Sequence, residues 1–414
     1  MSISDMANKI KEAGGTLYLV GGALRDKFLG RETHDEDYAI TGITSKDFMK
    51  LFPQAKVRGK AFEVFVLEGK EFAMAREETK IGRGHKEFQV TIKPEITIEQ
   101  DLARRDLTIN AIAENVLTKE IIDPFHGRED IQNKIIKAPS KAFKEDPLRV
   151  YRAARFAAQL GFTVEAETIK MMQEIKTELD TLSKERVYEE FKKALLSEKP
   201  SIFFNVLKEA NVLEIHFKEI YDLIGALQPP EHHPEGDAYI HTMMVLDYAS
   251  TQTKEASIRF SALVHDLGKG VTPEEEYPHH YNHENNGVEL VEKLGERIKV
   301  PNLWIKCGIV ACKEHMRGGI FYKMKPAKKV DFIERVSKST LGLEGLQIVV
   351  NADKLSSRNM DTGDIYFEQI GKKCLSTING KYIADKYDIK SGKEFGEKLR
   401  QERIEWIKNS VIEI

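Results

Sequence analysis

Cysteine is scarce in this chain. Three residues in 414, Cys307, Cys312 and Cys374, show no metal-binding spacing and are too few for a disulfide framework. A cytoplasmic location is the default expectation. Long apolar runs are also missing. None approaches the roughly 18 residues of a membrane-spanning helix, so no membrane partner is expected. The opening segment MSISDMANKIKEAGG lacks an apolar core and carries Asp5 and Glu12, so it reads as an amphipathic helix and not as a signal peptide. There is no internal repeat and no low-complexity segment. An excess of positive charge is absent as well. With 63 Lys and Arg against 66 Asp and Glu, the net charge of −3 does not advertise nucleic-acid binding. Basic clusters do occur at Arg149, Arg152 and Arg155, at Lys323, Lys325, Lys328 and Lys329, and at Lys393, Lys398, Arg400 and Arg403. Each can equally be a solvated helix face. What remains is an ordinary globular composition, 41% hydrophobic and 31% charged, long enough for two or more domains.

Residues 1–137 mix helix and strand signals, with short strand-like runs at 16–20, 62–67 and 71–75. Beyond about residue 138 the apolar spacing becomes helical, as at 150–160, 166–179 and 185–196. Asp146-Pro147 reads as a helix start. GRGHKE at 82–87 reads as a mobile loop. QPPEHHPEGD at 228–237, with three prolines, reads as a linker, and TPEEEYPHHYNHENNG at 272–287 as a second loop.

The most informative stretch is LVGGALRDKFLGRETHDEDYA at 19–39. It joins a Gly-Gly turn to Arg25 and then offers Asp35 and Asp37, two positions apart. On a strand these carboxylates share a face, with Cα atoms about 6.5–7 Å apart. That geometry suits two divalent cations clamping a phosphoryl or nucleotidyl transfer. The glycines let backbone approach phosphates closely, and a helix starting near Ala23 turns amide donors toward them.

This head resembles that of the tRNA nucleotidyltransferases, the CCA-adding enzymes of class II, within the polymerase-β-like superfamily. The resemblance continues in family order through DLARRDLTINAIA (101–113), IIDPFHGREDI (121–131), EDPLRVYRAARFAAQLGF (145–162) and SKERVYEEFKK (183–193). The later half, with LVHDLGKG at 263–270, resembles the HD phosphohydrolase domain of the bacterial multifunctional subgroup. The resemblance implies an α/β head with a small mixed sheet, followed by an all-α neck, body and HD domain. The expected divisions are a nucleotidyltransferase head at 1–137, a helical neck or RNA-binding region at 138–227, the HD domain at 228–360 and a helical C-terminal tail at 361–414.

For the head, the resemblance implies Mg²⁺ on Asp35 and Asp37, with Glu71 as a third carboxylate or else an exposed strand-edge residue. Gly22 and Arg25 would cradle triphosphate oxygens, although Arg25 can instead pair with Asp26 or Glu32. Arg105 and Asp106 would contact phosphate and ribose. Asp146 and Arg149, three apart and so on one helix face, could imitate a Watson–Crick partner for C or A. The competing reading is an intrahelical ion pair between them. Arg152 and Arg155 would extend that face toward phosphates. The substrates would be CTP, ATP and the tRNA 3′ end, for a monomer or homodimer.

For the HD half, His265-Asp266 cannot complete a metal shell alone. His241 and Asp353 match the first and last ligands of the pattern. Imidazole with carboxylate accommodates Ni²⁺, Mn²⁺, Mg²⁺ or Fe and suits activation of water toward phosphate esters. The expected activities are phosphatase, 2′-nucleotidase and 2′,3′-cyclic phosphodiesterase. Lys269 either binds phosphate or offsets a helix end. His280, His283 and His315 either contact substrate or are surface or satisfied histidines. The alternatives are a CC-adding or A-adding relative, a poly(A) polymerase, or an RNA-binding module with an inactive HD site.

Overall fold

The computed structural model describes the chain apart from residues 34–35, 59–62, 81–87, 357–365 and 411–414, and apart from the side chains of 78–80, 88–90 and 355–356. The described residues form two compact units. One is residues 1–194 with 202–212; the other is residues 195–201 with 213–414. The helical region expected at 138–227 is therefore divided, its last part belonging to the second unit. GRGHKE at 82–87 lies outside the described residues.

The first unit opens with the helix Ile3–Glu12, closed at its N-terminus by a capping box between Ser2 and Asp5. Its apolar face buries Met6, Ala7 and Ile10. Eleven strands follow among the described residues: β1 (Thr16–Val20), β2 (Asp37–Thr41), β3 (Lys56–Arg58), β4 (Val64–Leu67), β5 (Lys70–Met74), β6 (Arg76–Lys80), β7 (Phe88–Ile92), β8 (Ala113–Asn115), β9 (Ile121–Ile122), and the short parallel pair β10 (Ile135–Ile136) and β11 (Thr163–Val164). Seven make one mixed sheet in the order β3-β4-β5-β2-β1-β8-β9, while β6 and β7 pair separately. In the sheet, β2 runs parallel to β5, and the other neighbours are antiparallel.

Strand periodicity sorts the two faces. Tyr38 and Ile40 of β2 and Phe72 and Met74 of β5 enter a core with Met6, Ile10, Phe48 and Phe65, under the helices Ile3–Glu12 and Ser45–Leu51. Ala39 faces the other way, toward Val20, Ile98 and Leu102. Asp37 and Glu71 fall on that second face. The helix Leu148–Leu160 follows Pro147 and ends at Gly161, whose φ of +68° is a left-handed C-terminal stop. It buries Val150, Tyr151, Ala153, Ala154 and Ala157.

The second unit is helical. Val245, Ala262, Ala311, Leu346 and Val350, drawn from the helices Ala238–Gln252, Ala256–Val264, Asn302–Gly319 and Gly342–Ser356, share one core with Phe332. The region after 361 packs into it too, since Phe367, Cys374 and Ile407 are buried there. Two sequence readings change here. The 228–237 segment is a pinned loop: Gln228 N donates to Gly236 O at 2.9 Å, and Asp237 caps the helix Ala238–Gln252. The segment at 272–287 is not loop throughout, because the helix His283–Arg297 begins inside it. Asn285, Asn286 and Gly287 are weak helix formers. Gly287 is there for space: a Cβ would stand 3.1 Å from Cys312 Sγ and 3.2 Å from Gly268 N. Among the described residues no helix is long and apolar enough to cross a membrane.

Candidate functional site

In the first unit, strand pairing assembles the site. Asp37 stands opposite Val20 on β1 and beside Glu71 on β5. Val20 runs straight into Gly21-Gly22. One end of these three central strands thus gathers the glycine turn and two carboxylates, although Glu71 and Asp37 are 34 positions apart in sequence. β5 is internal to the sheet, between β4 and β2, so Glu71 is not an edge-strand residue, although it is exposed as that reading expected. Asp35 lies outside the described residues. Gly21 has φ +74°, and a Cβ on it would come within 3.0 Å of Arg105 Nη1, so only glycine suits this turn.

The turn opens on a cavity of about 610 Å³. Its lining carries seven Arg or Lys side chains against three carboxylates, Asp37, Asp106 and Asp146. The near-neutral chain therefore concentrates positive charge where a polyanion could bind. Gly22, Arg25, Arg105, Arg149, Arg152 and Arg155 all line this cavity. A second cavity of about 630 Å³ adjoins it through Asp37 and includes Glu71, Glu36 and Lys70.

Most of these cations are held by partners. Arg25 makes the expected pair with Asp26, donating to it at 2.9 and 3.0 Å; it also donates to Asn110 Oδ1 at 2.9 Å and lines the cavity. Its guanidinium stacks 4.9 Å from the Phe156 ring centroid. Asp106 accepts from Arg152 Nε at 2.8 Å, Asn110 Nδ2 at 3.1 Å and Leu107 N at 2.9 Å. Burial pushes its carboxyl up, but Arg152, Asn110 and Arg149 outweigh burial and hold it down to about 2. Arg105 is braced by the buried Asp101, while its Nε has no hydrogen-bond partner.

The Asp146–Arg149 reading needs correction. Asp146 lies outside the helix, in extended backbone at φ −111° and ψ 109°, because helical geometry begins only at Pro147. Its ion-pair partner is Arg186 at 3.1 Å, not Arg149. Arg149 donates to the carbonyls of Ala142 and Arg104. Both side chains nevertheless line the same cavity. Arg155 is not extended toward open space; it pairs with the buried Glu190 and stacks on Phe156 at 3.8 Å. Arg186, Glu190, Asn110 and Phe156 were missed. SKERVYEE was visible as a motif, but nothing in it said which residue its arginine meets. In the more distant basic clusters, Lys329 is buried and Arg400 and Arg403 pair with Asp331 and Glu334, whereas Lys323, Lys325, Lys328 and Lys393 are exposed.

In the second unit, His241, His265 and Asp353 converge, and Asp266 converges with His283 and His315. His241 Nε2 is 3.0 Å from Asp353 Oδ1, and His265 Nε2 is 3.2 Å from Asp266 Oδ2. Every imidazole spends its Nδ1 elsewhere: His241 on Glu235 at 2.7 Å, His265 on Ala262 O at 2.8 Å, His283 on His280 O at 2.8 Å and His315 on Ala311 O at 3.0 Å. Each Nε2 is thereby turned inward, the arrangement that orients metal-binding imidazoles. Asp353 and Glu235 outweigh burial and push the His241 imidazole up to about 9. His265 and Lys269 outweigh burial at Asp266, holding its carboxyl well below the usual range. His265 Nε2 and Asp266 Oδ1 are buried without hydrogen-bond partners. Such orphaned acceptors, in an imidazole and carboxylate set without thiolate, fit a divalent cation.

Lys269 neither offsets a helix end nor faces open space; its Nζ sits 2.5 Å from Asp266 Oδ2 and 2.6 Å from Gln228 Oε1. His280 stands apart from the cluster. Its ring nitrogens are taken by Thr272 Oγ1 and Leu227 O, both at 2.9 Å. His283 and His315 are buried members of the cluster rather than surface histidines. Glu235 and Gln228 escaped notice because the proline-rich segment read as a linker; a carboxylate six residues before His241 was the available signal.

Residues 17–137 match the family described as the Poly A polymerase head domain, 161–223 a probable RNA and SrmB-binding site of polymerase A, and 238–357 the HD domain. A Hahella chejuensis protein named multifunctional CCA protein is 46% identical over 72% of this chain and 72% of its own. A Vibrio parahaemolyticus protein of the same name is 39% identical over 86% of this chain and 88% of its own. Among solved structures, a Thermotoga maritima CCA-adding enzyme complexed with tRNA superposes with a TM-score of 0.66 at 18% identity, covering 97% of this chain and 89% of that one. An apo CCA-adding enzyme gives 0.65 at 20% identity, over 98% and 94%. The structural likeness shows a shared fold, with a polymerase-β-like head and a helical body. The sequence identity over most of both chains goes further: this chain belongs to the bacterial multifunctional CCA proteins, tRNA nucleotidyltransferases that carry an HD domain.

Proposed function

We propose that this chain adds C, C and A to the 3′ end of tRNA from CTP and ATP without a nucleic-acid template, and that its HD unit hydrolyses phosphate esters. The observation that carries the first reading is the pairing of Asp37 with Glu71 beside the Gly21-Gly22 turn, at the mouth of a strongly basic cavity. Asp37 and Glu71, with Asp35, are hard oxygen donors suited to Mg²⁺. When bound, Mg²⁺ supplies charge neutralisation on the triphosphate and acidifies the attacking 3′-hydroxyl. Arg25 and the Gly21-Gly22 backbone hold triphosphate oxygens. Arg105 and Asp106 meet phosphate and ribose. Asp146 accepts from the exocyclic amine of C or A, and Arg149 donates to the same base edge. U and G present the opposite order and leave that pair unsatisfied. Arg152 fixes the Asp106 carboxylate and lends charge to the pocket. Solved CCA-adding enzymes of this fold, in complex with ATP, CTP and tRNA, support the reading.

In the HD unit, His241, His265, Asp266 and Asp353 hold a divalent metal, Ni²⁺, Mn²⁺ or Mg²⁺, which when bound supplies activated water. Buried Lys269, held between Asp266 and Gln228, neutralises the Asp266 carboxylate. The substrates are 2′,3′-cyclic and 2′-phosphate ends and phosphomonoesters. One experiment tests the transferase half: a tRNA lacking its 3′ end is incubated with each labelled NTP singly and then with the mixture. Addition of C, C and A in that order supports the reading. Addition of C alone, of A alone or of a long A tract replaces it with a specialised relative.

A further inference from the structure

We propose that Tyr322, Lys323 and Lys354 form a subsite at the mouth of the HD cluster that binds the nucleotides just upstream of a reacting RNA 3′ end, so that the HD unit prefers a polynucleotide end to a free nucleotide. The proposal rests on the phosphoesterase reading of the HD unit and names its substrate class.

The cluster meets solvent at one residue. The Asp353 side chain is 20% exposed, against 7% or less for His241, His265, Asp266, His283 and His315. A substrate therefore enters past Asp353. Lys354 is the next residue of the helix Gly342–Ser356, its Cα about 3.8 Å from that of Asp353. The helix that supplies His315, Asn302–Gly319, ends against the stem of Lys354: a Cβ on Gly319 would stand 3.7 Å from Lys354 Cε. The chain then turns through Phe321–Lys323 and sets the Tyr322 ring beside two ammonium groups. Lys323 Nζ lies 5.3 Å from the ring centroid and Lys354 Nζ 5.4 Å.

This lip suits a polyanion with flat faces. Residues 315–330 contain five Lys or Arg and no Asp or Glu. The acids that flank the stretch, Glu314, Asp331 and Glu334, are taken by Arg335, Arg400 and Arg403. The positive charge of Lys323 and its exposed neighbours is thus left to attract phosphates. Tyr322 is 47% exposed, and Met316 and Ile320, one helical turn apart, are exposed as well. Large apolar side chains gathered at a surface mark a contact site. An aromatic ring among cations is how proteins hold single strands. The ring stacks on a base, while ammonium groups, each with three donors, bind the backbone. A cyclic mononucleotide has no upstream nucleotide to place there. The 2′-oxygen on which the cleaved esters form makes the strand RNA. An acidic protein would meet the lysines but leave the Tyr322 face unused.

The full-length chain is assayed with Mn²⁺ on 2′,3′-cyclic AMP and on a short oligoribonucleotide ending in a 2′,3′-cyclic phosphate. The wild type is expected to show the lower KM for the oligonucleotide. Tyr322→Ala raises that KM by about 5–100-fold, the worth of one base stack, and does not change the KM for cyclic AMP. Tyr322→Phe keeps the ring and the wild-type preference. Lys323→Gln lowers the log–log salt slope of the oligonucleotide KM by about 0.7, as expected for one single-strand phosphate contact. CTP incorporation verifies that each variant is folded. If the wild type hydrolyses cyclic AMP without preferring the oligonucleotide, or if Tyr322→Ala keeps the preference, the proposal is overturned while the phosphoesterase reading stands. If the wild type hydrolyses neither substrate with Mn²⁺, Ni²⁺ or Mg²⁺, both readings are overturned.

Discussion

Gly268 is the residue on which the HD cluster most depends without supplying a ligand. A Cβ at this position would stand 2.0 Å from His283 O and 2.8 Å from Gly287 N. Carbon–oxygen approaches rarely fall below about 3.3 Å. In a Gly268→Ala variant, then, the helix His283–Arg297 must retreat by about 1 Å. Its first residue is His283, so Nε2 moves away from Asp266 Oδ1, 3.3 Å distant in the wild type. Overpacking of this kind costs about 1–3 kcal/mol. For a unit of this size that is about 3 °C of melting temperature per kcal/mol. The larger effect is on metal binding, where displacing a ligand or its support lowers affinity by about 10–100-fold. The assay is metal-dependent hydrolysis of a 2′,3′-cyclic nucleotide across a Mn²⁺ titration, with CTP incorporation as the internal control. The expected result is a right-shifted metal dependence, a modest fall in melting temperature and unchanged incorporation. Wild-type metal dependence and melting temperature in the Gly268→Ala enzyme would refute the claim that this backbone contact sets the cluster.

Asp37→Ala should reduce CTP and ATP incorporation by on the order of a thousandfold or more, as expected for loss of metal catalysis, while HD hydrolysis persists; substantial residual incorporation would remove Asp37 from the site. Asp146→Ala or Arg149→Ala should let UTP and GTP compete better against CTP and ATP, and an unchanged ranking of the four nucleotides with lower overall activity would make these residues structural. Arg152→Leu should destabilise the first unit in a pH-dependent way. The Asp106 carboxyl is depressed from 3.8 to about 2, worth about 2 kcal/mol near neutrality. A depressed carboxyl stabilises above its unfolded value and loses that contribution as pH falls. The cost of Arg152→Leu should therefore be full at pH 7 and shrink between about pH 4 and pH 2; urea midpoints showing equal cost at pH 3 and pH 7 would contradict the Asp106–Arg152 pairing. Glu235→Gln should weaken metal binding at His241 without changing CTP incorporation, and an unaltered Mn²⁺ titration would deny it a positioning role.

Much of this protein was legible along the chain because the decisive signals are local. The Gly21-Gly22 turn with Asp37 downstream is one. The helices at 148–160 and 184–195, written in apolar spacing, are another, and so is the adjacency of His265 and Asp266. Each depends on residues a few positions apart, where backbone geometry dictates which side chains share a face. Other features were decided only by tertiary structure. Glu71 meets Asp37 because β5 inserts beside β2, a parallel pairing that no local pattern specifies. Asp146 chose Arg186, 40 positions away, over its near neighbour Arg149, because it stands one residue before the helical backbone begins. The proline-rich segment at 228–237 looked like a linker by composition, yet Glu235 and Gln228 brace His241 and Lys269. The joining of His283 and His315 to Asp266 needed three segments to converge and two glycines to let backbones touch. Local sequence determines the conformation of each segment. Which carboxylate meets which imidazole is settled by long-range packing, where the cost of burying an unpaired polar atom selects among arrangements that the chain alone leaves equivalent.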